Sequence, residues 1–116
     1  MIQGVEYVTL FVTDLERSVR FYHDLLELPV VQRSPHFVLL DAGNLRLGLH
    51  RGDGVPERPP VNLHFVVDDV DQAYEALRRK GLPFHKGPKD QPWGVRSATT
   101  ADPDGFVVEI VSRLPL

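Results

Sequence analysis

The stretch Tyr7-Val-Thr-Leu-Phe-Val-Thr-Asp-Leu-Glu-Arg-Ser-Val-Arg-Phe-Tyr22 changes period halfway along. Its first part, from Val5 to Val12, predicts a strand. From Asp14 onward apolar residues recur at helical spacing, at Leu15, Val19, Tyr22 and Leu26, so Asp14 is placed to cap a helix that Pro29 ends. The same grammar returns later. Val61 to Val67 reads as a strand, Asp69 as the equivalent cap, and Val70, Tyr74 and Leu77 as the helical stripe up to Gly81. One constant offset, 55 residues, lays Val12-Thr-Asp-Leu-Glu16 on Val67-Asp-Asp-Val-Asp71 and pairs Ser18 with Ala73 and Val19 with Tyr74. The chain therefore contains an internal repeat.

The ends of the two halves agree as well. Asp41-Ala-Gly-Asn-Leu-Arg-Leu-Gly48 lies over Asp102-Pro-Asp-Gly-Phe-Val-Val-Glu109 at an offset of 61, each a turn feeding a strand. Val30 to Arg33 and Phe37 to Asp41 supply two shorter strands in the first half, with Pro83 to His85 and Val95 to Ala101 as counterparts. The fold expected is α+β, two tandem βαβββ modules forming a cupped mixed sheet with the helices on its outer face. The whole chain, residues 1–116, is then one domain, with module one at 1–52, a linker at 53–60 and module two at 61–116. The linker lies in Arg51-Gly-Asp-Gly-Val-Pro-Glu-Arg-Pro-Pro60, which has turn chemistry throughout. Its Arg-Gly-Asp triplet is read as loop composition.

Composition narrows the function. With 116 residues, 42% hydrophobic and 25% charged, the chain is sized to bury a core without staples. It has no cysteine, which excludes disulfides, thiolate metal sites and cysteine nucleophiles, so any metal would need His, carboxylate or carbonyl ligands. The net charge of -3 and the lack of a basic tract argue against nucleic acid and for a small-molecule partner. The opening Met1-Ile-Gln-Gly-Val-Glu6 has no basic region followed by an apolar one, and no apolar run approaches the ~20 residues that cross a bilayer. The expected location is cytoplasmic, with no membrane partner.

Alternation sorts each strand into two faces. Val8, Leu10 and Val12, then Leu45, Leu47 and Leu49, form an apolar face in module one. Leu63, Phe65 and Val67, then Phe106, Val108 and Ile110, do so in module two. These predict the core beneath the helices. The opposite face carries Tyr7, Thr9 and Phe11; Arg46, Gly48 and His50; Asn62, His64 and Val66; and Val107, Glu109 and Val111. A solvated sheet face favours Thr, Lys and Glu, whereas this mixture of aromatics, two histidines, an amide and one carboxylate has the make-up of a recognition pocket.

The paired halves resemble the vicinal oxygen chelate superfamily, also called the glyoxalase/bleomycin-resistance/dioxygenase fold. The resemblance covers essentially the whole chain and rests on Tyr7 to Tyr22, on Val67-Asp-Asp-Val-Asp71, and on Pro92-Trp-Gly-Val-Arg96 followed by Asp102-Pro-Asp-Gly105 and Glu109. It implies the cupped fold but no single activity, because the superfamily serves isomerases, epimerases, thiol transferases, ring-cleaving dioxygenases and drug-binding proteins that do no chemistry. Enzymes of the family hold a divalent ion with four side chains, one from the first and one from the last strand of each half. Carried over by the repeat, those positions are Tyr7, Gly48, Asn62 and Glu109. Of these, Glu109 alone matches the family's His and Glu pattern: Gly has no side chain, Asn is a weak neutral ligand, and a Tyr with a pKa of ~10 is a poor one.

The expectation is therefore a protein of this superfamily that binds an aromatic or amphipathic small molecule, such as an antibiotic, without a metal. In character it is closest to the small bleomycin-resistance class, which also implies a homodimer. The expected ligand-binding residues are Tyr7, Phe11, Phe37, Arg46 and His50 in module one. In module two they are Asn62, His64, Trp93 and Glu109. Phe37 opens a short strand whose facing periodicity does not fix, so a plain core role stays open for it. Trp93 follows a polar, proline-bearing segment, Lys86 to Pro92, expected as a loop, and its indole is either a clamp over the cleft or a plug holding that loop down. No cofactor is expected. The alternative is a lyase, isomerase or dioxygenase in which His64 and Glu109, with His50 or Tyr7, hold a displaced divalent ion, or in which Glu109 serves alone as a catalytic base. His23, His36 and His85 sit in helix-surface or turn contexts and are read as solvated.

Overall fold

A computed structural model describes residues 1–115. It divides into two compact units, one ending at Pro56 and the other starting at Glu57, a break inside the expected linker. Residue 116, the last of the expected module two, lies outside the described residues. Among the described residues each unit has one four-stranded mixed sheet and one helical segment, which is the βαβββ order read from the repeat.

In the first unit the strands are β1 (Tyr7–Val12), β2 (Val30–Ser34), β3 (Phe37–Asp41) and β4 (Arg46–Arg51), arranged β1-β4-β3-β2. β1 runs parallel to β4, while β3 is antiparallel to both β2 and β4. The helix α1 (Leu15–Val19) starts where Asp14 accepts a hydrogen bond from the backbone N–H of Arg17 at 3.1 Å. It continues through Arg20–Leu25 as a wider π-helical turn, with Leu26 N–H reaching back to Phe21 O at 3.1 Å. Leu15, Val19, Phe21 and Tyr22 are buried along this segment, and they meet Leu10, Val12, Val38, Leu40, Leu47 and Leu49 from the sheet to make the core.

The second unit repeats the plan with β5 (Asn62–Val66), β6 (Lys86–Asp90), β7 (Val95–Ala101) and β8 (Val107–Arg113), arranged β5-β8-β7-β6. Its helix α2 (Val70–Arg79) is capped by Asp69, which accepts from Gln72 N–H at 3.1 Å. The two caps adopt nearly the same backbone angles, φ -133° at Asp14 and -136° at Asp69, as the repeat requires. The core holds Val70, Leu82, Ala98, Phe106, Val108 and Ile110, with the buried Thr100 hydroxyl donating to Pro83 O at 2.6 Å.

Three sequence expectations are corrected. Pro83 to His85 is not the strand: β6 lies at Lys86–Asp90, within the segment expected to be a loop. This segment pairs with β7 through Lys86, Lys89 and Asp90, with a register shift between Lys86 and Lys89. It is an edge strand, where a proline costs no ladder bond. Val8, expected in the core, is 37% exposed, because β1 is an edge strand and the helix does not reach its first residues. Leu45, Leu63, Phe65 and Val67 are half-buried rather than buried. The last three lie on or next to β5, which is also an edge strand.

Candidate functional site

On the first unit the register places Tyr7 opposite Arg46, Thr9 opposite Gly48 and Phe11 opposite His50. β3 continues the same rows with Asp41, Leu39 and Phe37. The facing of Phe37, open in the sequence, is thereby settled: its ring lies on this face, over Gly48. A Cβ built on Gly48 would meet Phe37 Cε1 at 2.8 Å and Cζ at 3.1 Å, with Thr9 Oγ1 at 3.0 Å. The glycine is the floor on which the phenyl ring rests. Around that ring stand Tyr7, with centroids 6.0 Å apart, and His50, at 6.1 Å, and Phe11 lies 5.4 Å from His50. Such tilted pairs are favoured by the ring quadrupoles. Phe11 is 56% exposed and Tyr7 46%, so the cluster presents an apolar surface outward.

Two polar groups border the cluster. His50 Nδ1 donates to Arg51 O at 2.7 Å, which leaves the lone pair of a neutral ring on Nε2. Arg46 Nη1 lies 3.5 Å from Glu6 Oε1, and both side chains are exposed.

On the second unit the rung partners are His64 and Glu109, with Asn62 opposite Val107 one pleat away. His64 Nδ1 is 3.1 Å from Glu109 Oε2, and Thr99 Oγ1 donates to Glu109 Oε1 at 3.3 Å. The Glu109 side chain is 16% exposed and that of His64 49%, so the carboxylate is the anchored partner and the imidazole the accessible one. Thr99 was not foreseen. Alternation gives its face, but only the β7–β8 register, Thr99 against Glu109, brings it to the carboxylate. Trp93 sits in the β6–β7 turn and is 68% exposed. The turn is fixed by Gln91 N–H to Val95 O at 2.7 Å and by Leu114 N–H to Gly94 O at 3.0 Å, so neither needs the indole as a plug. Val95 pairs with Arg113, four residues beyond Glu109 on β8 and about 13 Å along the strand. Within this unit, then, Trp93 is not brought beside the His64–Glu109 pair.

At the base of the same hairpin Arg96 ties three elements together. It donates through Nε and Nη2 to the two Asp71 oxygens, at 3.0 and 3.1 Å, and through Nη1 to Asp90 at 3.0 Å. The hydrogen bonds from Arg96 hold the Asp71 carboxyl below its ordinary pKa, and those to Asp71 and Asp90 raise the guanidinium's own.

Within each unit few side chains suited to a divalent ion come together. Glu109 has both oxygens engaged by His64 and Thr99, and the space that a ligand at position 48 would use is filled by the Phe37 ring. Among the described residues no three His, Asp or Glu side chains converge.

Residues 4–110 match the Glyoxalase/Bleomycin resistance protein/Dioxygenase superfamily, and the chain belongs to it. Among characterised and uncharacterised relatives, it is 30% identical to the uncharacterized protein YraH of Bacillus subtilis, over 92% of this chain and 96% of that protein. It is 24% identical to the metallothiol transferase FosB of Staphylococcus saprophyticus, over 95% of this chain and 77% of that protein. The crystal structure of a glyoxalase/bleomycin resistance protein/dioxygenase from Nocardioides matches with a TM-score of 0.84 at 26% identity, covering 98% of this chain and 85% of that one.

Proposed function

We propose that this protein binds a small aromatic or amphipathic molecule without a metal ion and works by sequestration. The observation that carries this reading is the Phe37 ring seated on Gly48, which turns a position used for metal binding in the family's enzymes into part of an aromatic surface. On the first module Tyr7, Phe11, Phe37, Arg46 and His50 are the binding residues. On the second, Asn62, His64 and Glu109 supply polar recognition, and Trp93 offers an exposed ring on the β6–β7 turn. Planar ligands gain most from such rings, which bury large area at small entropic cost. We assign the protein to the cytoplasm and to a homodimer. The unpaired edge of β1, where Val8 is 37% exposed, supports an assembly in which that edge is covered. Sedimentation equilibrium showing a monomer at micromolar concentration would refute the dimer.

The test of the function is a panel of planar aromatic metabolites and antibiotics titrated into chelator-treated protein, followed by Trp93 fluorescence and by NMR shifts of module one. Saturable binding by some members is expected. A flat response across the panel rejects the reading.

A second reading is favoured by one observation, the 3.1 Å contact of His64 with Glu109. It makes the protein a lyase, isomerase or dioxygenase with Glu109 as base or with a displaced ion on that pair. Elemental analysis of protein purified without chelator tests the displaced ion, and absence of metal leaves the Glu109-base version to be tested by activity of Glu109→Gln. Stoichiometric metal, lost in Glu109→Gln, would establish the second.

A further inference from the structure

We propose that the molecule bound on the first module is an aromatic carboxylate, with Arg46 as the residue that selects the anion; this rests on the ring-binding reading above. Arg46 shares a rung with Tyr7 and lies two residues along β4 from Gly48, the floor of the aromatic cluster. That spacing is about 6.5 Å between backbone positions, so the long Arg46 side chain can reach an anion carried by a ring stacked on the cluster. The guanidinium is available. Its partner among the described residues is Glu6, at 3.5 Å, longer than a well-formed N–H···O bond. The Glu6 side chain is 77% exposed, and an exposed pair of that kind contributes little and yields readily to a better acceptor.

A carboxylate meeting the fork of an arginine makes two parallel charge-assisted bonds, which one loosely placed Glu6 oxygen does not. The other acid in the row, Asp41, directs Oδ1 to the backbone N–H of Gly43 at 2.8 Å and so is engaged in its own turn. At the opposite end of the cluster His50 has Nδ1 committed to Arg51 O. The face thus offers an aromatic wall with an accessible cation at one end, the complement of a ring bearing a single anionic group.

The experiment uses the full ¹⁵N-labelled chain and three probes: 3-phenylpropanoate, its neutral amide, and propanoate. Shifts at Tyr7, Gly48 and His50 report ring binding. The acid is expected to bind roughly tenfold tighter than the amide, the worth of one charge-assisted hydrogen bond, and propanoate weakest of all. In Arg46→Met the acid should lose its advantage and bind no tighter than the amide does to the same variant, with the spectrum showing an intact fold. Added NaCl should weaken the acid alone. Equal binding of acid and amide, or an acid affinity unmoved by Arg46→Met, overturns the carboxylate and leaves ring binding standing. Tighter binding of 2-phenylethylamine than of the acid does the same. Shifts from no probe overturn both.

Discussion

Replacing Gly48 with alanine tests the packing on which the site depends. The new methyl would arrive 2.8 Å from Phe37 Cε1, closer than real Cβ atoms approach, and 3.0 Å from Thr9 Oγ1, a contact that is tight but observed. Either the phenyl ring leaves its seat, giving up its contacts with Tyr7 and His50, or the strand shifts; overpacking of this kind costs about 1–3 kcal/mol. Against that, alanine restricts the unfolded chain and returns about 0.4–1 kcal/mol where the backbone tolerates it, and strand backbone does. The net expectation is a loss of about 1 kcal/mol. Removing the ring first reverses the sign. In a Phe37→Ala background the methyl has space beyond Thr9, so Gly48→Ala should be neutral or stabilising by about 0.5 kcal/mol. A double-mutant cycle by urea unfolding should therefore return a coupling of about 1–3 kcal/mol between positions 37 and 48. A coupling below about 0.5 kcal/mol, the level at which distant sites add, would show that the ring does not rest on the glycine.

Other consequences can be checked separately. Because Arg96 depresses the Asp71 carboxyl pKa, that pair stabilises the fold above the ordinary carboxylate range and its contribution disappears as pH falls through the depressed value. Stability measured from pH 6 down to pH 3 should accordingly fall more steeply in the native protein than in Arg96→Met; parallel curves would contradict it. Asp14→Ala and Asp69→Ala each remove one helix cap of the same geometry and should cost similar amounts, about 1 kcal/mol, by thermal unfolding. Leu49→Ala, at a position with no exposure, should cost about 2–5 kcal/mol. Val8→Ala, on the same alternation but 37% exposed, should cost well under half as much in the monomer.

Much of this architecture is legible in the sequence because two signals coincide. Asp14 and Asp69 mark the same cap at the same offset, and Leu47, Leu49, Val108 and Ile110 mark the buried faces of strands whose neighbours also alternate. Where burial depends on a strand's place in the sheet, alternation fails. Val8 and Phe65 have core chemistry but lie on edge strands, and the sequence does not say which strands are edges. Lys86–Asp90 is hidden for the opposite reason, since a lysine- and proline-bearing segment has little strand propensity and is held by its partner β7.

The site divides the same way. That Tyr7, Phe11, Arg46 and His50 share one face follows from their period of two. That Phe37 covers Gly48, that His64 rather than Asn62 meets Glu109, and that Thr99 joins them all depend on inter-strand register, which one strand's sequence does not contain. For Trp93 composition gives no distance: the register places Val95, two residues on, about 13 Å along β8 from Glu109.

The most direct measurement is the affinity of an aromatic ligand for the full chain in excess chelator, compared with the same titration after adding Mn²⁺ or Zn²⁺. If a ring on Gly48 has replaced metal binding by the first module, the two affinities will agree and the shifts will centre on Tyr7, Gly48 and His50. Binding that appears only once the metal is supplied would contradict the account.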